Sequence, residues 1–311
     1  MTDHRSNRHE RQRWVIKLGS ALLSDSQTGL NQGLISELAK ACVALRDRGI
    51  DIVLVSSGAI AQGMARLGWA QRPHELYQLQ AAAAVGQMGL VQAYQQAFER
   101  FSVETAQVLL TGADLSDRTR YLNARSALRS MLTLGIVPVV NENDTVATEE
   151  IQFGDNDTLG ALVSNLVEAE YLVILTDQGG LYEADPRKIA NAPLVKTAVA
   201  GDPALEAYAG PSGVLGRGGM LTKLQAATKA ARSGASTIIC SGYEIENLAG
   251  IVDGNFPGTL IRAGAGRVVA RKQWLAGSMR AKGVLLLDDG AVGVLTTSGK
   301  SLLPVGVIQV E

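Results

Sequence analysis

The sequence predicts an α/β protein in which a mostly parallel sheet lies between two layers of helices, a three-layer αβα sandwich. Apolar runs of strand length alternate with amphipathic helical patterns from Trp14 to about Arg262. The apolar runs are continuous rather than alternating, which is typical of strands covered by helices on both faces. The chain also has 34 glycines and only 5% aromatic residues, a composition that suits many tight turns between strands and helices.

The predicted elements follow one another in strand–helix order. Residues 14–16 begin the first strand, which continues through Lys17 to Gly19. A helix with an apolar face then ends at Gly49. Later strands are predicted at DIVLVSSG, TAQVLL, GIVPVVNEND, YLVILTD and STIICSG, and helices at ELYQLQAAAAVGQMGLVQAYQQAFERF and DRTRYLNARSALRSML. Strands that alternate with helices predict parallel neighbours in the sheet.

Length and composition argue against several classes of protein. The 311 residues are 46% hydrophobic and carry a net charge of −1, so no polybasic nucleic-acid binder is indicated. No apolar run has the length of a membrane span. Cys42 and Cys240 form no C-x-x-C motif and no metal-ligand cluster is present, so we expect no protein metal site and a reducing cytoplasm.

The composition also divides the chain into parts. The charged start MTDHRSNRHERQR has no apolar segment of a signal peptide, and we expect residues 1–13 to form a disordered tail. We predict the α/β domain at residues 14–262 and a linker at 263–274. Residues 275–311 predict a small, incomplete β module with turns at 288–290 and 298–300, shorter than the roughly 40 residues needed to fold alone.

Lys17 interrupts a strand that is predicted to be buried on both faces. A buried ammonium group is costly unless an anion pairs with it. Lys17 must therefore reach the surface, or meet an acid of the protein or an anionic ligand.

Polar residues cluster where the predicted strands end. They are Gly19-Ser20, Ser56-Ser57-Gly58, Asn141-Glu142-Asn143-Asp144 and Thr176-Asp177. Because ligands of parallel α/β sheets gather at the carboxyl ends of the strands, we expect a binding site at this edge.

One glycine-rich segment favours phosphate binding. In GRGGMLTKLQAATKAARSG, three glycines lead into an amphipathic helix whose first turns carry Lys223. Backbone N–H groups at such a helix start attract anions, although an ordinary glycine-rich helix entry is the alternative. SGKS at 298–301 lacks the leading glycine and the strand–loop–helix context of a phosphate loop.

A second polar segment, FGDNDTLGALVSNLV, places Asp155, Asn156 and Asp157 just ahead of a predicted helix. A helix cap is the simpler explanation, because Asp and Asn are favoured at that position. One acid would satisfy the cap, however, so three polar residues favour a binding site.

Six motifs then occur in order: VIKLGS, VSSGAI, NENDTV, FGDNDTL, ILTDQGGLY and GRGGMLTKLQAA. In this order and spacing they resemble the glutamate 5-kinase family of the amino-acid kinase fold. The resemblance covers about residues 14–262, and the remainder resembles the opening portion of a PUA domain. Two positions depart from the family pattern, which has Thr where Arg217 stands and Ser where Leu221 stands.

The resemblance implies phosphorylation of the γ-carboxylate of L-glutamate by ATP with Mg²⁺, giving L-glutamyl 5-phosphate in the first step of proline biosynthesis. It also implies feedback inhibition by proline and a homo-oligomer, a dimer or a tetramer. Lys17 and Lys223 would hold the transferring phosphoryl group, and Asp157 would orient both lysines. The implied glutamate-binding residues are Ser57, Asp144, Asn156, Asp155 and Asn141. The implied ATP-binding residues are Lys17, Thr176, Asp177, Arg217, Gly218, Gly219, Met220, Leu221, Thr222 and Lys223.

These residues suit the implied chemistry. Phosphoryl transfer mainly requires positioning and positive charge around the transferred group. A carboxylate acceptor, with a pKa of about 4.3, is already ionised at pH 7 and needs no general base. Asp144 and Asp155 could pair with the ammonium group of a free amino acid, a group that acetylglutamate lacks.

Three other functions stay open at this point. The nearest is another kinase of the same fold that acts on a different carboxylate or phosphate acceptor. The second is an RNA-binding protein that uses the PUA-like end, which the balanced charge disfavours. The third is a regulatory subunit that senses an amino acid without catalysis, which the two retained lysines disfavour.

Overall fold

The computed structural model describes residues 11–24, 29–148, 155–189, 191–209, 219–264, 285–298 and 302–310. The chain divides into two compact units, residues 1–272 and residues 273–311. Of the predicted tail, residues 1–13, only the last three are described. Of the predicted linker, residues 263–274, only the first two are described.

The first unit contains an eight-stranded sheet. Its strands are β1 (Gln12–Leu18), β2 (Ile50–Val55), β3 (Thr105–Leu110), β4 (Val137–Glu142), β5 (Tyr171–Thr176), β6 (Thr197–Val199), β7 (Ser236–Ser241) and β8 (Thr259–Arg262). Their order across the sheet is β3-β4-β2-β1-β5-β7-β8-β6. All neighbours are parallel except β7 and β8, so the predicted mostly parallel sheet is confirmed.

Helices connect these strands within the described residues. They are α1 (Ser20–Leu23), α2 (Gln32–Asp47), α3 (Ala59–Arg66), α4 (Leu76–Glu99), α5 (Gly112–Ser116), α6 (Arg118–Thr133), α7 (Asn156–Val167), α8 (Ala204–Tyr208), α9 (Met220–Ala231) and α10 (Leu248–Ile251), with a 3₁₀ turn at Ile245–Asn247. Asn31 caps α2 by accepting a hydrogen bond from the Leu34 N–H, and Asp117 caps α6 in the same way. None of the helices in the described ranges combines the length and apolar character needed to cross a membrane.

Two apolar cores lie on opposite faces of the sheet. Trp14 and Ile16 of β1 pack in one core, with residues of α2 and α4. Val15 packs in the other, with residues of α7 and α9. Since side chains alternate along a strand, Lys17 shares the face of Val15. A Cβ added at Gly160 of α7 would lie 3.5 Å from the Lys17 Cβ, so Lys17 is enclosed between the sheet and α7.

The far edge of the sheet differs from the uniform strand–helix alternation that the sequence predicts. β6 and β8 have only three and four residues, and β8 runs antiparallel to β7. Such short strands carry too few residues to show a distinct apolar pattern. Their pairing depends on neighbours that are distant in the chain.

In the second unit, β9 (Leu285–Leu287) pairs antiparallel with β10 (Val307–Val310). A helix, α11 (Asp289–Ser298), lies between them in the chain, followed by a 3₁₀ turn at Pro304–Gly306. Residues 288–290, where a turn was predicted, are thus the start of α11. Asp288 Oδ1 accepts the Ala291 N–H and so caps this helix. Of the turn predicted at 298–300, only Ser298 is described.

Two glycines allow α3 and α4 to pack with their backbones in close contact. A Cβ added at Gly86 would lie 1.8 Å from the Ala59 carbonyl oxygen, and one at Gly63 would lie 1.7 Å from the Ala82 carbonyl oxygen. No flexible side chain can yield at either point. The start of α3 is thereby held against the third turn of α4, and the middle of α3 against its second turn.

Gly86→Ala is expected to lower the free energy of unfolding by roughly 1–3 kcal/mol, because the two helices must separate to admit the methyl group. Urea unfolding followed by circular dichroism measures the change. Gly33→Ala in α2 is the matched control: its nearest atom would be Asn31 Oδ1 at an ordinary 3.5 Å, so stability should be unchanged or slightly higher. Equal effects of the two substitutions would contradict this account of the helix pair.

Candidate active site

The side chains of Lys17 and Lys223 meet at one carboxylate. Lys17 Nζ lies 2.5 Å from Asp157 Oδ1, and Lys223 Nζ lies 3.1 Å from Asp157 Oδ2. The Thr222 hydroxyl donates to the same Oδ2 at 3.0 Å. We call Lys17, Asp157, Thr222 and Lys223 the lysine cluster. Two ammonium groups and one carboxylate leave it with an excess of one positive charge.

The lysine cluster is buried. The side chains of Lys17 and Lys223 are 6% and 7% exposed, and that of Asp157 is 0% exposed. Burial raises the pKa of Asp157, but attraction to the two lysines outweighs it and holds this pKa below its ordinary value. Burial also lowers the pKa of Lys17, which Asp157 opposes and repulsion from Lys223 reinforces. A phosphate group placed between the lysines would balance their excess charge.

Three elements of the fold position the lysine cluster. Lys17 comes from the central strand β1, between Val55 of β2 and Ile174 of β5. Asp157 lies in the first turn of α7, where the helix dipole favours an acid. Lys223 lies in the first turn of α9, which packs beside α7.

Apart from Lys17, the predicted ATP-binding residues that the structure describes lie at the end of β5 and at the start of α9. Thr176 ends β5, and its hydroxyl donates to the Asp177 carboxylate at 3.0 Å. Gly219 is the N-cap of α9 without a side-chain cap, and no atom of the described residues would lie within 4 Å of a Cβ added there. Met220 and Leu221 follow it in the first turn of α9. Arg217 and Gly218 lie outside the described residues.

A cavity of about 180 Å³ lies at the carboxyl ends of β2 and β4. The structure brings all five predicted substrate-binding residues to its wall: Ser57, Asn141, Asp144, Asp155 and Asn156. The opposite wall consists of the first turns of α3 and α4. We call this cavity the acceptor cavity. Because Asn156 directly precedes Asp157, the cavity adjoins the residue that contacts both lysines.

Asn156 ties the cavity wall together. Its side-chain amide donates to the Ser56 carbonyl at 2.5 Å, to Ser57 Oγ at 2.9 Å and to Asn141 Oδ1 at 3.0 Å. Asp155 accepts the Thr158 N–H at 2.7 Å and caps α7. The helix-cap and the binding-site interpretations of residues 155–157 are thus compatible, since Asp155 caps α7 and also lines the cavity.

A glycine with positive φ shapes the same wall. Gly58 precedes α3 with φ of 94°, a left-handed conformation that glycine adopts readily. The chain can therefore leave β2 after Ser57 and enter α3 at once, which brings the start of α3 to the cavity.

Sequence patterns alone did not identify three residues near this site. Gln87 of α4 is buried and accepts a hydrogen bond from the Asn141 side chain at 2.8 Å. Its place on the buried face of an alanine-rich helix is a signal that could have been used. Gln80 donates to the Ala147 carbonyl at 3.1 Å and lines the cavity. Arg72 lines the cavity from the segment between α3 and α4, and its exposed position offers no pattern.

This combination of fold and site defines a phosphotransferase class. The model of the amino acid kinase family matches residues 12–241. The chain therefore belongs to the amino acid kinase family, and the predicted fold class is confirmed.

Comparison with curated proteins shows which group within the amino acid kinase family the chain belongs to. The chain is 58% identical to the glutamate 5-kinase of Nitrosococcus oceani, over 100% of the chain and 83% of that protein. It is 59% identical to the glutamate 5-kinase of Alcanivorax borkumensis, over 97% of the chain and 80% of that protein. A third glutamate 5-kinase, of Cupriavidus metallidurans, is 58% identical over 96% of the chain and 81% of its own length. Within the amino acid kinases, the chain thus belongs with the glutamate 5-kinases, as the motifs predicted.

Proposed function

We propose that the chain transfers the γ-phosphoryl group of ATP to the γ-carboxylate of L-glutamate, forming L-glutamyl 5-phosphate in the first step of proline biosynthesis. The observation that carries this proposal is the pairing of Lys17 and Lys223 on the one carboxylate of Asp157, beside a cavity rich in acids and amides. The names of the curated relatives point to the same reaction.

The acceptor cavity suits a free amino acid. Asp144 and Asp155 on its wall offer carboxylates to the ammonium group of glutamate. Ser57, Asn141 and Asn156 offer neutral hydrogen-bonding groups in the same wall. The Asn156 side chain is already fixed by hydrogen bonds to three protein oxygens. It would therefore hold glutamate in one orientation rather than many.

The lysine cluster would stabilise the phosphoryl group during transfer. A γ-carboxylate oxygen attacks the phosphorus while the bond from phosphorus to the oxygen that leaves with ADP breaks. Lys17 and Lys223 would contact the equatorial oxygens, where charge must be neutralised. Asp157 keeps the two ammonium groups next to each other, so little rearrangement is needed. The carboxylate nucleophile carries no proton, and no side chain has to act as a base.

ATP would lie over Thr176, Asp177 and residues 217–223, of which the last four begin α9. Mg²⁺ would arrive with ATP, as the resemblance to the glutamate 5-kinases implies. Phosphate oxygens commonly supply several Mg²⁺ ligands. When bound, the ion would supply positive charge that offsets the negative charge of the phosphate groups.

Release of ADP from Mg-ATP, measured with and without L-glutamate in a coupled assay, tests the proposed function. We expect release that depends on glutamate and saturates with its concentration. Acetylglutamate, carbamate and a nucleoside monophosphate are the comparison acceptors. Turnover with one of these but not with glutamate would show that the chain is a different kinase of the same fold.

Asp144→Ala is expected to raise the KM for glutamate by about 10-fold or more and to leave kcat within a few-fold, because the substrate ammonium loses a charged partner. Steady-state kinetics with glutamate varied at saturating Mg-ATP measure both constants. An unchanged KM for glutamate with an altered KM for ATP would show that the loop after β4 serves the nucleotide instead.

Four further properties belong to this proposal. Proline carries an ammonium and a carboxylate like the α-end of glutamate, so we propose that it inhibits the phosphorylation of glutamate. The same assay with added proline tests this.

We propose a homo-oligomer, a dimer or a tetramer, supported by Tyr77 and Met88 of α4, which are 67% and 74% exposed. Cys42 and Cys240 are free thiols, which supports a cytoplasmic setting. We also propose that the second unit is part of a PUA domain.

A further inference from the structure

The acceptor cavity has an uneven distribution of charge. Glu142, Asp144 and Asp155 bring three carboxylates to its wall. Among the described residues that line it, Arg72 alone has a cationic side chain. Arg72 is exposed and forms no ion pair with any other described residue. The guanidinium group is thus the one positive charge on the wall.

This distribution matters for a ligand with two carboxylates. Glutamate carries an α-carboxylate, a γ-carboxylate and one ammonium group. If the γ-carboxylate reaches the lysine cluster and the ammonium group pairs with the acids, the α-carboxylate still lies among like charges. Three carboxylates on the wall would repel it unless a cation is present. Arg72 can supply that cation, and a guanidinium group can bind a carboxylate through two parallel hydrogen bonds.

The fold holds Arg72 in a defined relation to the acids. Its segment joins α3 to α4, the pair that packs through Gly63 and Gly86. At the start of α4, Gln80 donates to the Ala147 carbonyl, just beyond the loop that carries Asp144. The helix that follows Arg72 is therefore tied by this hydrogen bond to the segment that follows Asp144.

We propose that Arg72 binds the α-carboxylate of the acceptor and so selects α-amino acids over amines that lack this group. The inference rests on the proposed function, because it assumes that glutamate occupies the acceptor cavity. It assigns the two ends of the substrate to different residues. Asp144 and Asp155 bind the ammonium group, and Arg72 binds the carboxylate attached to the same carbon.

The test compares the wild-type chain with Arg72→Ala, Arg72→Lys and the control Arg100→Ala, which removes an exposed arginine at the end of α4. For Arg72→Ala we expect the KM for glutamate to rise about 10- to 100-fold, the range for loss of a charged hydrogen bond, with kcat within threefold. Arg72→Lys should restore part of the loss. Arg100→Ala should behave like the wild type.

A second ligand separates binding of the α-carboxylate from a general loss of charge. 4-Aminobutyrate has the ammonium group and the distal carboxylate of glutamate but no α-carboxylate. Its inhibition constant against glutamate should be the same for the wild type and Arg72→Ala. An unchanged KM for glutamate in Arg72→Ala, or a KM and an inhibition constant that rise together, would overturn the inference.

Failure of the proposed function gives a different result. A wild-type chain that does not phosphorylate glutamate overturns that function and this inference together. A wild-type chain that is active on glutamate, with Arg72→Ala equally active at low glutamate, overturns the inference alone. Thermal unfolding of each variant, followed by circular dichroism, verifies that the compared chains are folded.

Discussion

Lys223→Ala is expected to lower kcat for glutamate phosphorylation by at least about 100-fold, with a much smaller change in the KM for glutamate. The ammonium group of Lys223 lies 3.1 Å from Asp157 Oδ2 in a buried cluster. A charge preorganised at such a position contributes mainly when charge develops on the transferred group, which is why its loss appears in kcat. Steady-state kinetics at saturating Mg-ATP and glutamate measure the effect.

Lys40→Ala is the matched control for this prediction. Lys40 is an exposed lysine of α2 and lies in neither the lysine cluster nor the wall of the acceptor cavity. Its removal changes the net charge equally and should leave kcat within twofold. If Lys223→Ala also kept kcat within threefold of the wild type, the proposed role of the lysine cluster in transfer would be wrong.

Asp157→Asn is expected to remove activity and also to lower the free energy of unfolding by about 3–5 kcal/mol. The substitution keeps the size of the side chain but removes the negative charge that both buried ammonium groups contact, and breaking a buried ion pair in this way has a cost of that order. Urea unfolding gives the shift in midpoint, and an unchanged slope shows that the same surface is exposed on unfolding.

Asp253→Asn provides the comparison for the stability effect. Asp253 is paired with Arg48 at 2.5 Å, but its side chain is 57% exposed, and exposed ion pairs contribute about 0–1 kcal/mol. The two substitutions therefore remove the same charge from a buried and an exposed pair. A loss below about 1 kcal/mol for Asp157→Asn would mean that the lysines lose their charge or find other partners when Asp157 is absent.

The central part of the fold was predictable because its signals are local. The strands β1, β2, β4, β5 and β7 are continuous apolar runs with several fully buried residues, so their composition alone indicates burial on both faces. β6 and β8 were not predictable, since three or four residues carry no clear pattern. The helix at Asp289–Ser298 was missed because its glycines and threonines resemble those of a turn.

The candidate site was predictable to the extent that it follows the strand ends. Ser57, Asn141 and Asp144 follow β2 and β4, and the rule for parallel sheets places such residues at one edge. The hydrogen bond from Asn141 to Gln87 could not be predicted in this way. The helical pattern can place Gln87 on the buried face of α4, but it does not say which side chain of the sheet Gln87 contacts.

The sequence by itself determined the class of fold, the edge of the sheet where polar residues gather, and the family, because each depends on residue types and on their order. The resemblance implied that Asp157 orients Lys17 and Lys223, but only the tertiary structure shows the contacts through which both lysines share this carboxylate. Only the tertiary structure shows that Arg72 lines the same cavity as three acids. The physical reason is that contacts between residues distant in the chain depend on the order of the strands and on the face of the sheet to which each side chain points. Lys17 lies two residues after Val15 in the central strand β1, so both side chains point to the same face of the sheet. Helices α7 and α9 cover this face, and Lys17 therefore reaches Asp157 of α7.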